Sequence, residues 1–332
     1  MKHKNILLFL ALSVACILLF VLDISFGSVR IPLSDILSLF STDAENDISR
    51  EIILNIRLPK AITAIIAGVG LSLSGLMMQT LFRNPLAGPY ILGVSSGATL
   101  GVATVVLTGS FVGITVNNQW ISIWAAIVGA ALVLLLVMGV SHRIRNNVSL
   151  LIIGMMFGSI AGAIVNVMQN YSNPDTLKLF IVWTFGNLSS VNWNEMKILF
   201  PISILGFTLA FTIIKQLNGL LLGENYARGL GINIQKTRLL IIISTGLLAG
   251  GITAFTGPIA FVGVAIPHIA IGLFSTQNHR IIMPATAICG AVLMLLCDFL
   301  SQMFTYPLPI STVTSLFGAP IIIWIISRRK HI

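Results

Sequence analysis

The sequence has 332 residues, of which 56% are hydrophobic and only 9% are charged. Soluble domains carry about one quarter charged residues, so this composition excludes an ordinary soluble protein and favours one that lies in a lipid bilayer. The net charge of +9 is spread over short gaps between apolar runs, which indicates membrane topology and not a nucleic-acid partner.

The first predicted element is an apolar run from Ile6 to Leu22 that follows Lys2 and Lys4. Cleavable signal peptides share this pattern, but no A-x-A cleavage site follows the run, so we favour a retained transmembrane helix over about 6–25. The next segment, about 28–60, is polar and rich in acidic residues. It is predicted to be an outer loop.

Further spans are assigned by length, because a helix needs about 20 residues to cross the hydrocarbon core. A second span is expected over about 60–81. The stretch from Asn84 to Ser141 then holds 58 residues without Asp, Glu, Lys or Arg and has basic residues on both sides, which predicts a hairpin of two crossings. Two more spans are expected, over about 149–170 and 196–215, with an outer segment over about 171–195 between them.

A second uncharged stretch, Leu239 to Asn278, has 40 residues and again predicts two crossings, with the reversal at Gly257-Pro258. Spans over about 281–300 and 310–327 bring the count to ten. The predicted fold class is therefore all-α: a polytopic membrane protein with about ten transmembrane helices and one transmembrane domain over residues 1–332.

The basic residues give the orientation. Thirteen of the nineteen Lys and Arg residues lie at the termini and turns that ten crossings place on one face, together with only Glu224 of the ten acidic residues. Because cytoplasmic segments carry an excess of Lys and Arg, this face is predicted to be cytoplasmic, with both termini inside.

Several kinds of chemistry lack the residues they need. The acidic residues within or beside the spans are Asp23 and Asp298, both near predicted outer helix ends, so neither is placed for a midplane proton relay. The chain has no Gly-Lys pair and hence no P-loop, so ATP, if it is the energy source, must bind another polypeptide. His268 has no second ligand beside it, so we favour helix packing and predict no metal site and no catalytic residue.

The fifth span carries two patterns. Gly154, Gly158 and Gly162 form a double GxxxG repeat, which permits close helix packing. A mildly polar, uncharged stripe on the same span suits a large polar solute that passes without tight binding, although hydrogen bonding between helices explains the spacing equally well. The members of this stripe are Met155, Ser159, Asn166, Gln169 and Asn170.

Ordered motifs occur along essentially the whole chain: Arg57-Leu-Pro-Lys60, Gln79-Thr-Leu-Phe-Arg83-Asn84-Pro85-Leu86-Ala87, Leu92-Gly93-Val94-Ser95-Ser96-Gly97-Ala98, Gly257-Pro258-Ile-Ala-Phe-Val-Gly263, Ile266-Pro267-His268 and Gly318-Ala319-Pro320. By these motifs the chain resembles the FecCD family of ABC importer permeases, which import ferric siderophores, haem and cobalamin. The resemblance implies the type II importer permease fold, with ten helices in each of two subunits around one pathway.

The resemblance also implies the partners. They are a second permease subunit, identical or paralogous, two cytoplasmic ATP-binding-cassette subunits that hold ATP and Mg, an extracytoplasmic solute-binding protein and membrane lipid, without nucleic acid. The chain itself would hold no cofactor and would not be an enzyme. The implied location is the cytoplasmic (inner) membrane of a bacterium, with multiple passes.

Site residues are carried over from the family by position. Cytoplasmic coupling helices are implied over about 218–236, where Ala227 is small enough for close approach and Gly231 can end a helix; an ordinary connecting loop is the alternative. The implied ATPase-coupling residues are Glu224, Asn225, Ala227, Arg228, Gly229 and Gly231.

At the outer face, Arg57 and Lys60 match basic family positions that dock the binding protein, although they also fit interfacial anchors. A third basic docking position is absent, since the segment after Asp298 reads Phe-Leu-Ser-Gln302. The fifth span would line the pathway. The implied cytoplasmic gate consists of Asn84, Leu86, Asn147 and Val148.

The predicted function is that of a permease subunit that passes a ferric siderophore or a related iron chelate such as haem, driven by a separate ATPase. Cobalamin import by the same mechanism is the alternative. A secondary transporter is less favoured, because the sequence lacks a gradient-sensing group, and a membrane enzyme would need a deep cluster of ionisable residues.

Overall fold

The computed structural model describes residues 2–27, 48–109, 118–144, 147–304 and 306–328. Within these ranges the chain forms fifteen α-helices and no β-strand. The all-α prediction is therefore confirmed.

The first half of the chain contains six helices. They are α1 (Lys2–Ser25), α2 (Ile48–Ile52), α3 (Leu58–Phe82), α4 (Val94–Gly109), α5 (Gln119–Arg143) and α6 (Asn147–Asn170). A π-helical turn, Ile53–Arg57, joins α2 to α3. The predicted outer loop over 28–60 is therefore helical from Ile48 onward, and its residues 28–47 lie outside the described ranges.

The second half contains nine helices. They are α7 (Pro174–Thr184), α8 (Trp193–Thr212), α9 (Ile214–Leu221), α10 (Glu224–Gly229), α11 (Ile234–Thr245), α12 (Gly251–Thr256), α13 (Val262–Phe274), α14 (His279–Gln302) and α15 (Ile310–Arg328). A π-helical turn, Gly246–Gly250, joins α11 to α12. Helix α7 lies in the outer segment over 171–195, for which the sequence analysis named no secondary structure.

Seven of the described helices are long and apolar enough to cross a membrane. Three shorter apolar helices accompany them: Val94–Gly109, Val262–Phe274 and Ile310–Ile323. Two of these are halves of the predicted hairpins and the third is the last predicted span. Ten crossings, which stay a prediction, require all three in addition to the seven.

The predicted reversal at Gly257 is present. Helix α12 ends at Thr256, and Gly257 has a φ of 74°, a backbone conformation that glycine adopts without steric cost. A Cβ at this position would lie 2.4 Å from the carbonyl oxygen of Trp183. Both the turn geometry and the neighbouring backbone therefore require glycine.

The turns assigned to the outer face lie together in space. The backbone N–H of Asn187, after α7, donates to the carbonyl of Thr256 at 2.7 Å, and the N–H of Ser311 in α15 donates to the carbonyl of Phe185 at 3.2 Å. The end of α7, the Gly257 reversal and the start of α15 thus form one end of the molecule. We call this group the outer end, following the predicted orientation.

Helix α3 is the centre of the packed body. Of the residues in the most apolar stretch of Arg50–Phe82, 83% are buried. A Cβ at Gly75 would lie 1.6 Å from the carbonyl oxygen of Gly263 in α13, and one at Gly68 would lie 2.2 Å from the carbonyl oxygen of Gly290 in α14. Backbone-to-backbone contact at these two crossings fixes α3 against its neighbours.

Candidate functional site

The predicted coupling segment, residues 218–236, is built from short helices separated by glycines. Helix α9 ends at Leu221, and Gly223 has a φ of 111° before α10 begins. Gly231, with a φ of 78°, follows α10. Both glycines adopt left-handed backbone conformations that a side chain would strain, so the sequence forces the chain to turn on each side of α10.

Ala227 lies in α10 with no exposed surface. A Cβ at Gly219 of α9 would be 3.7 Å from the Ala227 Cβ, so the small side chain allows α9 and α10 to approach each other. The close approach that Ala227 allows in this structure is therefore that of α9, and its role in coupling to an ATPase stays a prediction.

The exposed surface of the coupling segment is partly apolar. Leu222, Tyr226 and Leu230 expose 62%, 56% and 58% of their surface. Three large apolar side chains on one short polar segment, outside the apolar helices, form a surface of the kind that marks protein–protein contacts. We call these three residues the apolar surface of the coupling segment.

Glu224 connects the coupling segment to the rest of the chain. Its Oε1 accepts a hydrogen bond from Asn147 Nδ2 at 2.7 Å and lies 3.5 Å from Arg238 Nη2. Its Oε2 lies 3.6 Å from Arg228 Nη2 within α10. The sequence analysis named Glu224, Arg228 and Asn147 separately, in coupling and gating roles, but did not predict that Glu224 and Asn147 meet.

Arg238 was missed by the sequence analysis. It is 4% exposed, donates from Nη1 to the carbonyl of Ile144 at 2.9 Å, and donates from Nη2 to Asn147 Oδ1 at 2.5 Å. The available signal was a single arginine near the start of an apolar run, which the positive-inside rule had already explained. We call Glu224, Asn147 and Arg238 the junction.

The other predicted gate residues lie just after the end of α3 and at the start of α6. Asn84 follows the end of α3, and its Oδ1 accepts a hydrogen bond from the backbone N–H of Leu86 at 2.9 Å, an Asx turn that places the 44%-exposed Leu86 side chain at the surface. Val148, in the first turn of α6 beside Asn147, is 58% exposed. Both apolar gate candidates are therefore accessible from outside the chain.

Helix α6 presents the predicted polar stripe at its surface. Met155, Ser159, Asn166 and Asn170 are exposed, and Gln169 is half-buried. Apolar residues of α6 are exposed as well, and only 22% of its most apolar window is buried. The stripe thus occupies part of a wide, uncharged and largely uncovered helix face.

The three α6 glycines differ in their surroundings. A Cβ at Gly154 would lie 2.6 Å from the carbonyl oxygen of Ile91, and one at Gly158 would lie 3.3 Å from Ser96 Oγ. A Cβ at Gly162 would meet no atom of the described residues within 4 Å. Close packing among the described residues is therefore present at Gly154 and Gly158, whereas helix packing at Gly162 stays a prediction.

The two predicted docking cations are engaged inside the chain. Arg57 is 7% exposed and donates from Nη1 to the carbonyls of Ile24 at 2.6 Å and Ser25 at 2.9 Å, which are carbonyls at the end of α1. Lys60 Nζ lies 3.0 Å from Asp298 Oδ1. Docking by these residues stays a prediction, and it would compete with these internal contacts.

Two acidic residues that the sequence analysis placed near helix ends meet at this point. Gln302 Nε2 donates to Asp23 Oδ1 at 2.8 Å and lies 3.2 Å from Asp298 Oδ2. Asp23 and Asp298 are 3% and 2% exposed. Gln302, at the position where a basic docking residue was sought, thus bridges two buried carboxyl groups. We call Asp23, Lys60, Asp298 and Gln302 the outer cluster.

Comparison with known proteins tests the family. The sequence profile of the FecCD transport family matches residues 15–328. The chain belongs to the FecCD transport family. This membership confirms the resemblance that the motifs indicated.

Curated FecCD relatives match along most of their length. One is YvrB of Bacillus subtilis, described as an uncharacterized ABC transporter permease protein and 34% identical over 97% of this chain and 92% of the relative. HmuU of Yersinia pestis, a hemin transport system permease protein, is 33% identical over 86% of each chain. BtuC of Salmonella typhi, a vitamin B12 import system permease protein, is 33% identical over 99% of this chain and 98% of its own.

Solved structures agree with the fold. A "metal-chelate type ABC transporter" in an inward-facing conformation matches with a TM-score of 0.85 and 28% identity, over 97% of this chain and 99% of the matched one. PsaBC from Streptococcus pneumoniae, solved in complex with a Fab, matches with a TM-score of 0.52 at 17% identity. The second likeness supports the fold alone.

Proposed function

We propose that this chain is the membrane-spanning permease subunit of an ATP-binding-cassette importer in a bacterial cytoplasmic membrane. Its cargo is a ferric siderophore or a related iron chelate such as haem. A second permease copy or paralogue completes the pathway, two ATPase subunits hold ATP and Mg, and a solute-binding protein delivers the cargo outside. The permease itself carries out no covalent step.

One observation carries this proposal: the coupling segment combines an uncovered apolar surface with a direct connection to α6. Leu222, Tyr226 and Leu230 are exposed, whereas Glu224 of the same segment is hydrogen bonded to Asn147 at the start of α6. A partner that holds this surface would therefore act on the helix that bears the uncharged stripe. A soluble ATPase that changes shape on binding ATP fits that requirement, because its two states make different contacts with the segment.

The exposed face of α6 supports the proposed cargo class. Its exposed side chains are apolar or amide and hydroxyl groups, without a charge, which suits a bulky solute that must pass without tight binding. The relatives support the same size class, since one is named for hemin and another for vitamin B12. Selectivity would then reside in the solute-binding protein.

Reconstitution tests the proposal. The permease is placed in proteoliposomes with its co-purified ATPase and binding protein, and uptake of a labelled ferric siderophore, haem and cobalamin is measured in parallel. ATP-dependent accumulation of an iron chelate is expected. Replacing residues 223–231 by a Gly-Ser linker of equal length should abolish uptake, whereas the same replacement of 275–277, a turn between α13 and α14, should leave it intact.

Two outcomes would contradict parts of the proposal. Normal uptake by the linker variant would remove the coupling role of this segment. Uptake that an ion gradient drives without ATP would identify a secondary transporter instead.

Cobalamin is the second candidate cargo. The observation that favours it is the 33% identity with BtuC over 99% of this chain. Accumulation of cobalamin without accumulation of either iron chelate in the same assay would select it.

A further inference from the structure

The side-chain amide of Asn147 makes three hydrogen bonds, to residues of three different elements. Its Nδ2 donates to the carbonyl of Leu81 in α3 at 2.8 Å and to Glu224 Oε1 in α10 at 2.7 Å. Its Oδ1 accepts from Arg238 Nη2 in α11 at 2.5 Å. The chemistry of the partners fixes the orientation of the amide, because the reversed amide would turn its NH₂ toward a guanidinium and its oxygen toward a carboxylate.

The partners differ in how firmly they are held. Arg238 is 4% exposed, and its other terminal nitrogen is bonded to the carbonyl of Ile144 at the end of α5. Leu81 belongs to α3, the most deeply packed helix. Glu224, in contrast, has a side chain that is 25% exposed and sits on a helix of six residues. The junction therefore has two fixed sides and one side that can move.

Asn147 itself opens a helix that has few anchors. The described buried residues of α6 are Leu150, Gly154, Ala161 and Val165, all small or of medium size. The charged hydrogen bond to Glu224 is therefore a strong contact at the end of a lightly held helix, since hydrogen bonds to ionised groups are about twice as strong as neutral ones.

We infer that Asn147 is the positioning residue through which displacement of α10 changes the position of the cytoplasmic end of α6, with Arg238 and the Leu81 carbonyl as its fixed supports. This inference rests on the proposed function. When the partner moves α10, Glu224 either keeps Asn147 in place or releases it. Val148, the exposed gate candidate next in sequence, then changes position with the first turn of α6.

The decisive test exchanges donor and acceptor across one hydrogen bond. Asn147→Asp places a second carboxylate beside Glu224 and removes both donated hydrogen bonds, to Glu224 and to the Leu81 carbonyl, while it keeps an acceptor for Arg238. Asn147→Asp with Glu224→Gln restores a hydrogen bond between the two positions, because the glutamine amide can donate to the aspartate. Both variants are assembled with the ATPase and the binding protein in proteoliposomes, and cargo uptake and ATP hydrolysis are measured together.

The expected result is a change in the ratio of ATP hydrolysed to cargo imported. For Asn147→Asp this ratio should rise about tenfold, within the range typical of coupling between two sites, and the double variant should recover most of the change. Asn278→Asp is the matched control: it adds the same charge at an exposed N-cap of α14, where its oxygen still accepts from the N–H of Arg280. The control should keep the wild-type ratio.

Three results overturn the inference: an unchanged ratio for Asn147→Asp, a loss that Glu224→Gln does not relieve, or an equal change in the control. If Asn147→Asp does not assemble, Asn147→Ser removes the contacts without adding charge, and an unchanged ratio in that variant overturns the inference equally. A wild-type complex that imports nothing with ATP would refute the proposed function instead, so the two failures are distinguishable.

Discussion

Helices α3 and α6 are both long apolar segments, but they differ in how far the rest of the chain buries them. The most apolar window of α3 is 83% buried, whereas that of α6 is 22% buried. Helix α3 contacts its neighbours backbone to backbone at Gly68 and Gly75. At Gly162, α6 has room that none of the described residues fills. The comparison separates a fixed body from a helix that is free to change position.

The polar groups associated with the two helices follow the same division. The outer cluster, at the outer end of α3, contains two carboxyl groups that are 3% and 2% exposed, and its partners come from three helices. The junction, at the end of α6 that is predicted to be cytoplasmic, includes Glu224 with a 25%-exposed side chain. Loss of a contact in the outer cluster should therefore lower the stability of the fold. Loss of a contact in the junction should instead weaken the coupling of ATP hydrolysis to transport.

The largest effect is expected where a charge pair is mostly buried: the side chains of Lys60 and Asp298 are 13% and 3% exposed. Lys60→Met removes the cation that lies 3.0 Å from Asp298 and leaves two buried carboxyl groups with Gln302. Removing one partner of a buried pair costs about 3–5 kcal/mol. The yield of monodisperse protein in detergent and its thermal unfolding temperature should both fall, and Asp298→Asn in the same chain should restore most of the loss.

The same variant also tests docking. A Lys60→Met protein of normal stability that no longer binds the solute-binding protein would show that Lys60 acts outward and that the outer cluster is not its main role. The outer cluster would then no longer support the contrast between α3 and α6.

A smaller effect on stability is expected from added volume on α3. Gly75→Ala would place a Cβ 1.6 Å from the carbonyl oxygen of Gly263, so α13 must move, at a cost of about 1–3 kcal/mol. Gly162→Ala on α6 is the matched control, and its unfolding temperature should stay close to that of the unaltered protein. Equal loss in both variants would contradict the distinction between the two helices.

Features that depend on neighbouring residues in the sequence could be predicted. The Gly257-Pro258 reversal could be read because each residue restricts the backbone on its own, and the uncharged hairpins could be read because lipid selects against charge over a whole span. Glu224 was assigned to coupling by its family position, and this role stays a prediction. Each of these signals lies within one short segment.

Contacts between segments that are distant in the sequence could not be predicted from such local patterns. Asp23 and Asp298 each lie near a helix end in the sequence, and only the packing of α1 against α14 brings them to one glutamine. Gly68 and Gly75 are seven residues apart and so escape a search for GxxxG, although they make closer contacts than the α6 glycines. The small size of Ala227 is evident from the sequence. The direction in which α10 presents this residue depends on its packing against α9 and could not be predicted.

The smallest of these effects on the chain itself is expected at the apolar surface of the coupling segment. Tyr226 is 56% exposed, so Tyr226→Ala should change the free energy of unfolding of the isolated permease by no more than about 0.5 kcal/mol. Binding of the ATPase should nevertheless weaken by about 2 kcal/mol, as truncation of a buried interface aromatic typically does.

Co-purification of the ATPase at increasing dilution measures this loss. Tyr171→Ala is the matched control, since Tyr171 is 71% exposed but follows α6 at its other end. If both variants retain the ATPase equally, the apolar surface does not bind it. If Tyr226→Ala lowers the stability of the permease alone, the coupling segment belongs to the fixed body, and the division between the two regions has to be redrawn.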